Sequence, residues 1–356
     1  MAKARDSLPS IASHGALVLP SVTIDSFNVE LRDGDEFVGD CASNGAFYAI
    51  VDEMREKLRA HDDDPLGDVD TDDIGKSKLS RILTGDDVEA AALVQGAVER
   101  FSEELATVVR RFLRLKDWRD TERLAISGGF RHSRVGELAI VRAGQLLKEE
   151  DLAIELMPIS NHPDEAGLIG AAHLAPPWVL AGHDGMLAVD IGGSNFRAGI
   201  VKFNLKKDPT LAKAKVGKSI LWRHAEEAPS RDEAVAKIAE MLEKLIGEAE
   251  SDELALAPFI GVGCPGLIVE DGSIERGGQN LPGNWERSAH FNLPRTLMAA
   301  IPRIGSHDSA IVMHNDAVIQ GLSEVPAMGD VERWGVLTIG TGLGNARFTN
   351  RSADVG

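Results

Sequence analysis

Residues 187–201, LAVDIGGSNFRAGIV, constrain the fold more than any other stretch of this chain. An apolar run enters a turn of Gly192, Gly193, Ser194 and Asn195, and a second apolar run leaves it. That pattern spells two buried strands joined by a tight hairpin. Asp190 stands at the lip of the turn and Arg197 just beyond it. A second stretch of the same form, GVLTIGTGLGNARFT, covers 335–349. Two like hairpins in one chain predict a duplicated α/β architecture.

The segments between them alternate in character. Residues 85–115 place apolar side chains at three- and four-residue spacing, which predicts a long amphipathic helix. RLAISGGF (123–130) reads as a strand ending in Gly128 and Gly129, GELAIVRAGQLLKE as a helix, LAIELMPIS as a strand and DEAGLIGAAHLA as a helix. PPWVLAGHDG (176–185) reads as a linker. RDEAVAKIAEMLEKLIGEAE carries a helical apolar stripe, and SAIVMHNDAVIQGLSEV is a buried strand that turns into a helix at Asn315–Asp316. HDDDPLGDVDTDDIG (61–75) has a calcium-loop look but lacks the closing Glu, so a plain solvated loop is expected.

Composition excludes several function classes. A formal net charge of −18 over 356 residues opposes a nucleic-acid surface, which needs a basic face. It leaves room for a small anion bound by backbone amides. Cys41 and Cys264 are far apart, so neither a disulfide framework nor a structural zinc site is expected. The apolar run near the N terminus is too short and interrupted for a signal peptide or a membrane span, and a cytoplasmic protein is expected.

Phosphate chemistry suits the glycine hairpins. Backbone amides must come close to a phosphate chain, and a Cβ at the turn would block them. Gly192, Gly193 and Ser194 on one hairpin, with Thr338, Gly340, Thr341, Gly342 and Gly344 on the other, could grip a polyphosphate; the bland alternative is two tight turns. Asp190 could hold Mg2+ through water. Asp316, at the end of a buried strand, is placed for general-base work on an attacking hydroxyl, and equally for capping the helix that follows. In GGQNLPGNWE, Asn280 and Asn284 could bind sugar hydroxyls, while Trp285 belongs in a core.

As a set, LAVDIGGSNFRAGIV, GVGCPGLI with NLPG, HNDAVIQGLSE and GVLTIGTGLGN resemble the first phosphate loop, sugar segment, connecting strand–helix and second phosphate loop of the ROK sugar kinases, within the actin–hexokinase–Hsp70 superfamily. LAISGGFRHSRVGELAIV and DEAGLIGAAHL resemble that family's adenosine motif and closing helix, and the likeness covers most of 85–348. The order is changed, because the family's C-terminal parts come first here. The resemblance therefore implies a circularly permuted, two-lobed actin-like ATPase (ribonuclease H-like) α/β fold with mixed sheets. Residues 1–175 would form one lobe, 176–186 a linker and 187–356 the other lobe.

The resemblance also implies roles. ATP and Mg2+ would be used to phosphorylate a hexose or amino-hexose. Asp316 would be the base. Asn280 and Asn315 would orient the sugar, beside Pro265 and Gly266. Asp190 would support the metal. Gly192, Gly193, Ser194, Thr338, Gly340, Thr341 and Gly342 would hold phosphates, with Gly128 and Gly129 at the adenosine. The family's Glu-x-x-His contact and cysteine-rich zinc loop are missing. His14 is a candidate remnant of the first and Cys41 has no cysteine partners, so no zinc is expected. A degenerate relative acting as a sugar- or nucleotide-binding regulator is the alternative, as is an ATPase with a non-sugar acceptor. The expected partner is a small sugar, with no nucleic acid or membrane; a homodimer is left open.

Overall fold

The computed structural model describes residues 11–34, 36–61, 64–128, 133–286, 291–339 and 343–351. In chain order its main elements are β1 (Val22–Phe27), α1 (Asn44–Arg59), α2 (Lys76–Leu83), α3 (Val88–Leu113), β2 (Arg123–Gly128), α4 (Arg134–Glu149), β3 (Glu155–Pro158) and α5 (Pro163–Ala171). There follow β4 (Gly185–Ile191), β5 (Phe196–Lys202), β6 (Lys215–Trp222), α6 (Arg231–Ser251), β7 (Leu256–Cys264), α7 (Leu293–Ala300), β8 (Ala310–Asn315), α8 (Asp316–Leu322), β9 (Arg333–Ile339) and β10 (Leu343–Asn350).

Local chemistry starts the helices where they start. Ser43, Asp87, Ser133 and Asn292 each accept a backbone N–H of the first turn that the helix itself leaves unpaired. Ser230 and Glu233 close a reciprocal capping box at α6. The long helix expected over 85–115 is α3. The helices α2 and α7 are short, at eight residues each, and the sequence reading missed them.

The chain divides into two units. One holds the described residues up to Ile24, then Asp164–Gly329, then those from Thr349; the other holds Asp25–Pro163 and Asp330–Phe348. Contacts thus cut the chain at 24, 163, 329 and 348, whereas sequence order suggested cuts at 175 and 187. Strands are recruited by pairing, not by position in the chain.

The first unit is built on a mixed sheet of order β8-β7-β4-β5-β6. β4 pairs antiparallel with β5 and β5 with β6, while β4, β7 and β8 run parallel. α6 lays Ile238, Met241, Leu242 and Leu245 in one core with Leu187, Val189, Ile260 and Val262 of the sheet, all almost fully buried. Each such side chain contributes about 1.5–3 kcal/mol.

The second sheet has order β1-β10-β9-β2-β3. β9, β2 and β3 run parallel. Three residues separate β9 from β10, too few for a crossover, so that pair is antiparallel. Asn28 N–H donates to Asn345 O and Arg351 N–H to Ser21 O, which makes β1 antiparallel to β10. Its core joins Phe47, Phe101, Leu105 and Val109 of α1 and α3 to Ile140 of α4 and Ile126 and Leu337 of the sheet.

The two sheets match once the chain is read from β4 to β10 and on through β1 to β3. Each is then a three-stranded meander followed by two parallel strands, with order 3-2-1-4-5. The expected mixed α/β fold with helix-flanked sheets is the observed one. Among the described residues no helix is long and apolar enough to cross a membrane.

Candidate active site

The carboxyl ends of β4, β7 and β8 gather the chemistry of the first unit. Parallel register sets Asp190 opposite Gly263, and Cys264 opposite Asn315. Ligand sites of open α/β sheets collect at such strand ends. Asp190 is buried, and burial raises its carboxyl above the usual range. Arg197 pulls it back and Asp164 pushes it further up. Arg197 lies directly across the β4–β5 pair from Asp190, 3.8 Å away, and reaches Asp164 of α5 at 2.5 Å. α5 presents Gly167 to Asp190, where a Cβ would lie 2.7 Å from the carboxyl carbon.

Asp316 is the first residue of α8, and the cap is Asn315. Asn315 Oδ1 accepts the N–H groups of Ala317 and Val318, and its Nδ2 donates to Gly266 O at 3.0 Å. The capping role therefore falls one residue before Asp316. It takes up the side chain of Asn315, a residue that is itself 1% exposed and braces the Gly266 carbonyl. Burial, helped by the nearby Asp190 carboxylate, pushes the Asp316 carboxyl up to about 6. The Cys264 thiol, buried between β4 and β8, is pushed well up by burial and then by both carboxylates.

The glycine turn closes on itself through Gly192 N–H to Asn195 O at 2.9 Å. Two of its other carbonyls are held by the segment after β6. His224 Nε2 lies 3.0 Å from Gly192 O, and Ala225 N–H donates to Ser194 O at 3.3 Å. The N–H groups of Gly193, Ser194 and Asn195 donate to no protein group among the described residues. Successive free amides make an anion-binding nest. Neither Gly192 nor Gly193 has the positive φ that favours glycine. Gly193 instead lies close to Asn280, where an added Cβ would sit 3.2 Å from Asn280 Cβ, tighter than an ordinary contact. Asn280 itself is exposed beside the turn.

Gly266 adopts φ +100°, and a Cβ there would meet Arg276 O at 2.4 Å, so the Pro265–Gly266 corner needs glycine. Trp285 is buried, as expected, and donates to Pro282 O. Asn284 Oδ1 accepts from Glu286 N–H within its own loop. His14 is bound to the sheet edge, with Nδ1 accepting Met313 N–H at 3.1 Å and Asp271 near its ring.

No protein-family model and no curated protein matches the chain. Solved structures give partial likenesses. A candidate N-acetylmannosamine kinase of Listeria monocytogenes is 24% identical over 47% of this chain and 47% of its own, with a TM-score of 0.33. A candidate sugar kinase of Cytophaga hutchinsonii is 16% identical over 47% and 48%, with a TM-score of 0.33. The inorganic polyphosphate/ATP-glucomannokinase of Arthrobacter sp. strain KM is 23% identical over 47% and 61%, with a TM-score of 0.34. The chain spans about half the length of the first two. Likeness this partial leaves the chain's own geometry to support a function.

In the other unit, Ile339 of β9 pairs with Gly128 of β2, and Thr338 with Ser127. Gly128 has φ +104°, and a Cβ there would meet Ile339 O at 1.9 Å. The glycine expected to admit a nucleotide is thus already required by the neighbouring strand. Gly129, Gly340, Thr341 and Gly342 lie outside the described residues.

Among the described residues no three His, Cys, Asp or Glu side chains are grouped to hold a metal. Asp190 offers one hard carboxylate, to which waters and phosphate oxygens would add. That donor set fits Mg2+, which keeps most of its water, and suits zinc poorly. His224 was missed from the sequence: HAEE, a single helical turn over His224–Glu227, carries no spacing signal, and its partner lies 32 residues away.

Proposed function

We propose that the protein is an ATP-dependent sugar kinase. One observation carries this: Asp316, raised to about 6, shares strand ends with Asp190 and with a turn whose three amides are unspent. A carboxylate of that pKa is ionised at neutral pH and still basic enough to take a proton. Asp316 accepts the proton of a sugar hydroxyl as its oxygen attacks the γ-phosphorus of ATP, and ADP leaves. Phosphoryl transfer asks chiefly for positioning and charge stabilisation. The amides of Gly193, Ser194 and Asn195 supply that for the phosphate chain, with Gly192 closing the turn. Asp190 would hold Mg2+ through water, and the metal would neutralise phosphate charge. Exposed Asn280 binds sugar hydroxyls, together with Pro265 and Gly266, whose carbonyl Asn315 braces.

We also infer that the chain is a circular permutation of the ROK kinase order. The matching strand orders of the two sheets support this, because they coincide only when the chain is read around from β4. A permuted kinase of this kind would work on free hexoses in the cytoplasm.

The test is release of ADP from ATP and Mg2+ with glucose, mannose, N-acetylglucosamine or N-acetylmannosamine. At least one sugar should raise ADP release well above the sugar-free rate. Equal rates with and without every sugar would overturn the proposal.

A further inference from the structure

We infer that His224 is a positioning residue for an anion at the 192–195 turn. Its ring, behind the turn, orients the Gly192–Gly193 peptide so that the free amides face a phosphate group.

A carbonyl oxygen only accepts, so the Nε2 that lies 3.0 Å from Gly192 O carries a proton. A trans peptide points its C=O and the next N–H in opposite directions, and among the described residues there are no cis peptide bonds. Gly192 C=O aims at His224, so Gly193 N–H aims away from it. Ser194 C=O is held in the same manner by Ala225 N–H, so Asn195 N–H also aims away. Two neighbouring residues of the short helix His224–Glu227 thus set two of the three unspent amides.

The imidazole is itself held. It is 3% exposed, lies 4.3 Å between centroids from Phe196 of β5, and stands 5.9 Å from Trp222. Trp222 in turn donates to Glu227 Oε1 at 2.9 Å. Phe196 directly follows the turn, so the ring packs on the same hairpin whose carbonyl it binds.

The assignment rests on the phosphate role proposed for the turn. The experiment compares wild type, His224→Phe and His224→Gln. Phe keeps an aromatic ring against Phe196 and removes the donor; Gln restores a donor. Binding is measured calorimetrically for Mg-ATP, for inorganic tripolyphosphate, and for the sugar that supports turnover. Phe should weaken both phosphate probes about 10-fold, Gln should recover most of that loss, and sugar affinity should stay at the wild-type value. Equal phosphate affinity in wild type and the folded Phe variant overturns the inference, as does equal weakening for sugar and phosphate. Wild-type binding of tripolyphosphate without sugar-dependent ADP release would sink the kinase and leave this assignment standing. Failure of wild type to bind either phosphate probe would end both.

Discussion

At neutral pH Asp316 is a carboxylate that the fold would hold more easily as an acid. Its folded value of about 6 lies above the ordinary 3.8. Between those values the folded chain keeps a proton that the unfolded chain has lost, so stability falls as pH rises through that window. Above about 6 the full cost is present. Asp316→Asn removes the half-buried charge, so the variant should melt about 2–4 °C above wild type at pH 8. The gap should shrink towards pH 4. Its sugar-dependent turnover should be lost while Mg-ATP still binds. In wild type, kcat/KM should fall roughly tenfold per pH unit below about 6, as the base becomes protonated. A flat profile from pH 5 to 8, or normal turnover by Asp316→Asn, removes Asp316 from the chemistry.

At the scale of elements, the acidic loop after α1 shows how a cation-like site can be filled by the chain itself. Arg55 is fully buried in α1. It donates to Asp64 Oδ2 at 2.8 Å, to Thr71 Oγ1 at 2.7 Å, and to the carbonyls of Gly67 and Val69 at 2.8 and 2.6 Å. Asp52 accepts from Thr71 and completes the ring. A planar guanidinium with five donors suits a fork of oxygens better than a lysine would. The stretch that resembled a calcium loop is therefore wound around an arginine. Removing one partner of a buried ion pair leaves the other uncompensated, so Arg55→Met should cost about 3–5 kcal/mol in urea unfolding. Millimolar Ca2+ should leave the wild-type melting temperature unchanged. A rise with Ca2+ would show that the oxygens accept a metal after all.

At the scale of the whole molecule, the matching sheets make an engineering prediction. β10 and β1 are antiparallel neighbours, so a short turn can join them. A chain rearranged to begin near 183 and to run from β10 into β1 should fold, with the same circular dichroism and sugar-dependent turnover within about tenfold of the original. Permutation is tolerated where new ends fall in a connecting segment, here 175–184. A rearranged chain that aggregates while the original stays soluble would argue that the order of segments is not interchangeable.

Much was legible before any coordinates. The 187–201 hairpin, the strands either side of the second glycine stretch, the long α3 and the strand that becomes a helix at 315–316 announce themselves by period and by glycine, because those signals are local. So is the placing of Asp190 and Asp316 at strand ends. The sequence could not divide the cap from the base at Asn315–Asp316, since either residue can cap and only the bonds from the Ala317 and Val318 N–H groups to Asn315 Oδ1 decide. Nor could it find His224 or the role of Arg55, whose partners are reached by folding and not by spacing. Chain order determined which segments exist; pairing across sheets decided which of them stand together, because strand neighbours are chosen by register and buried area, quantities that exist only once distant segments meet.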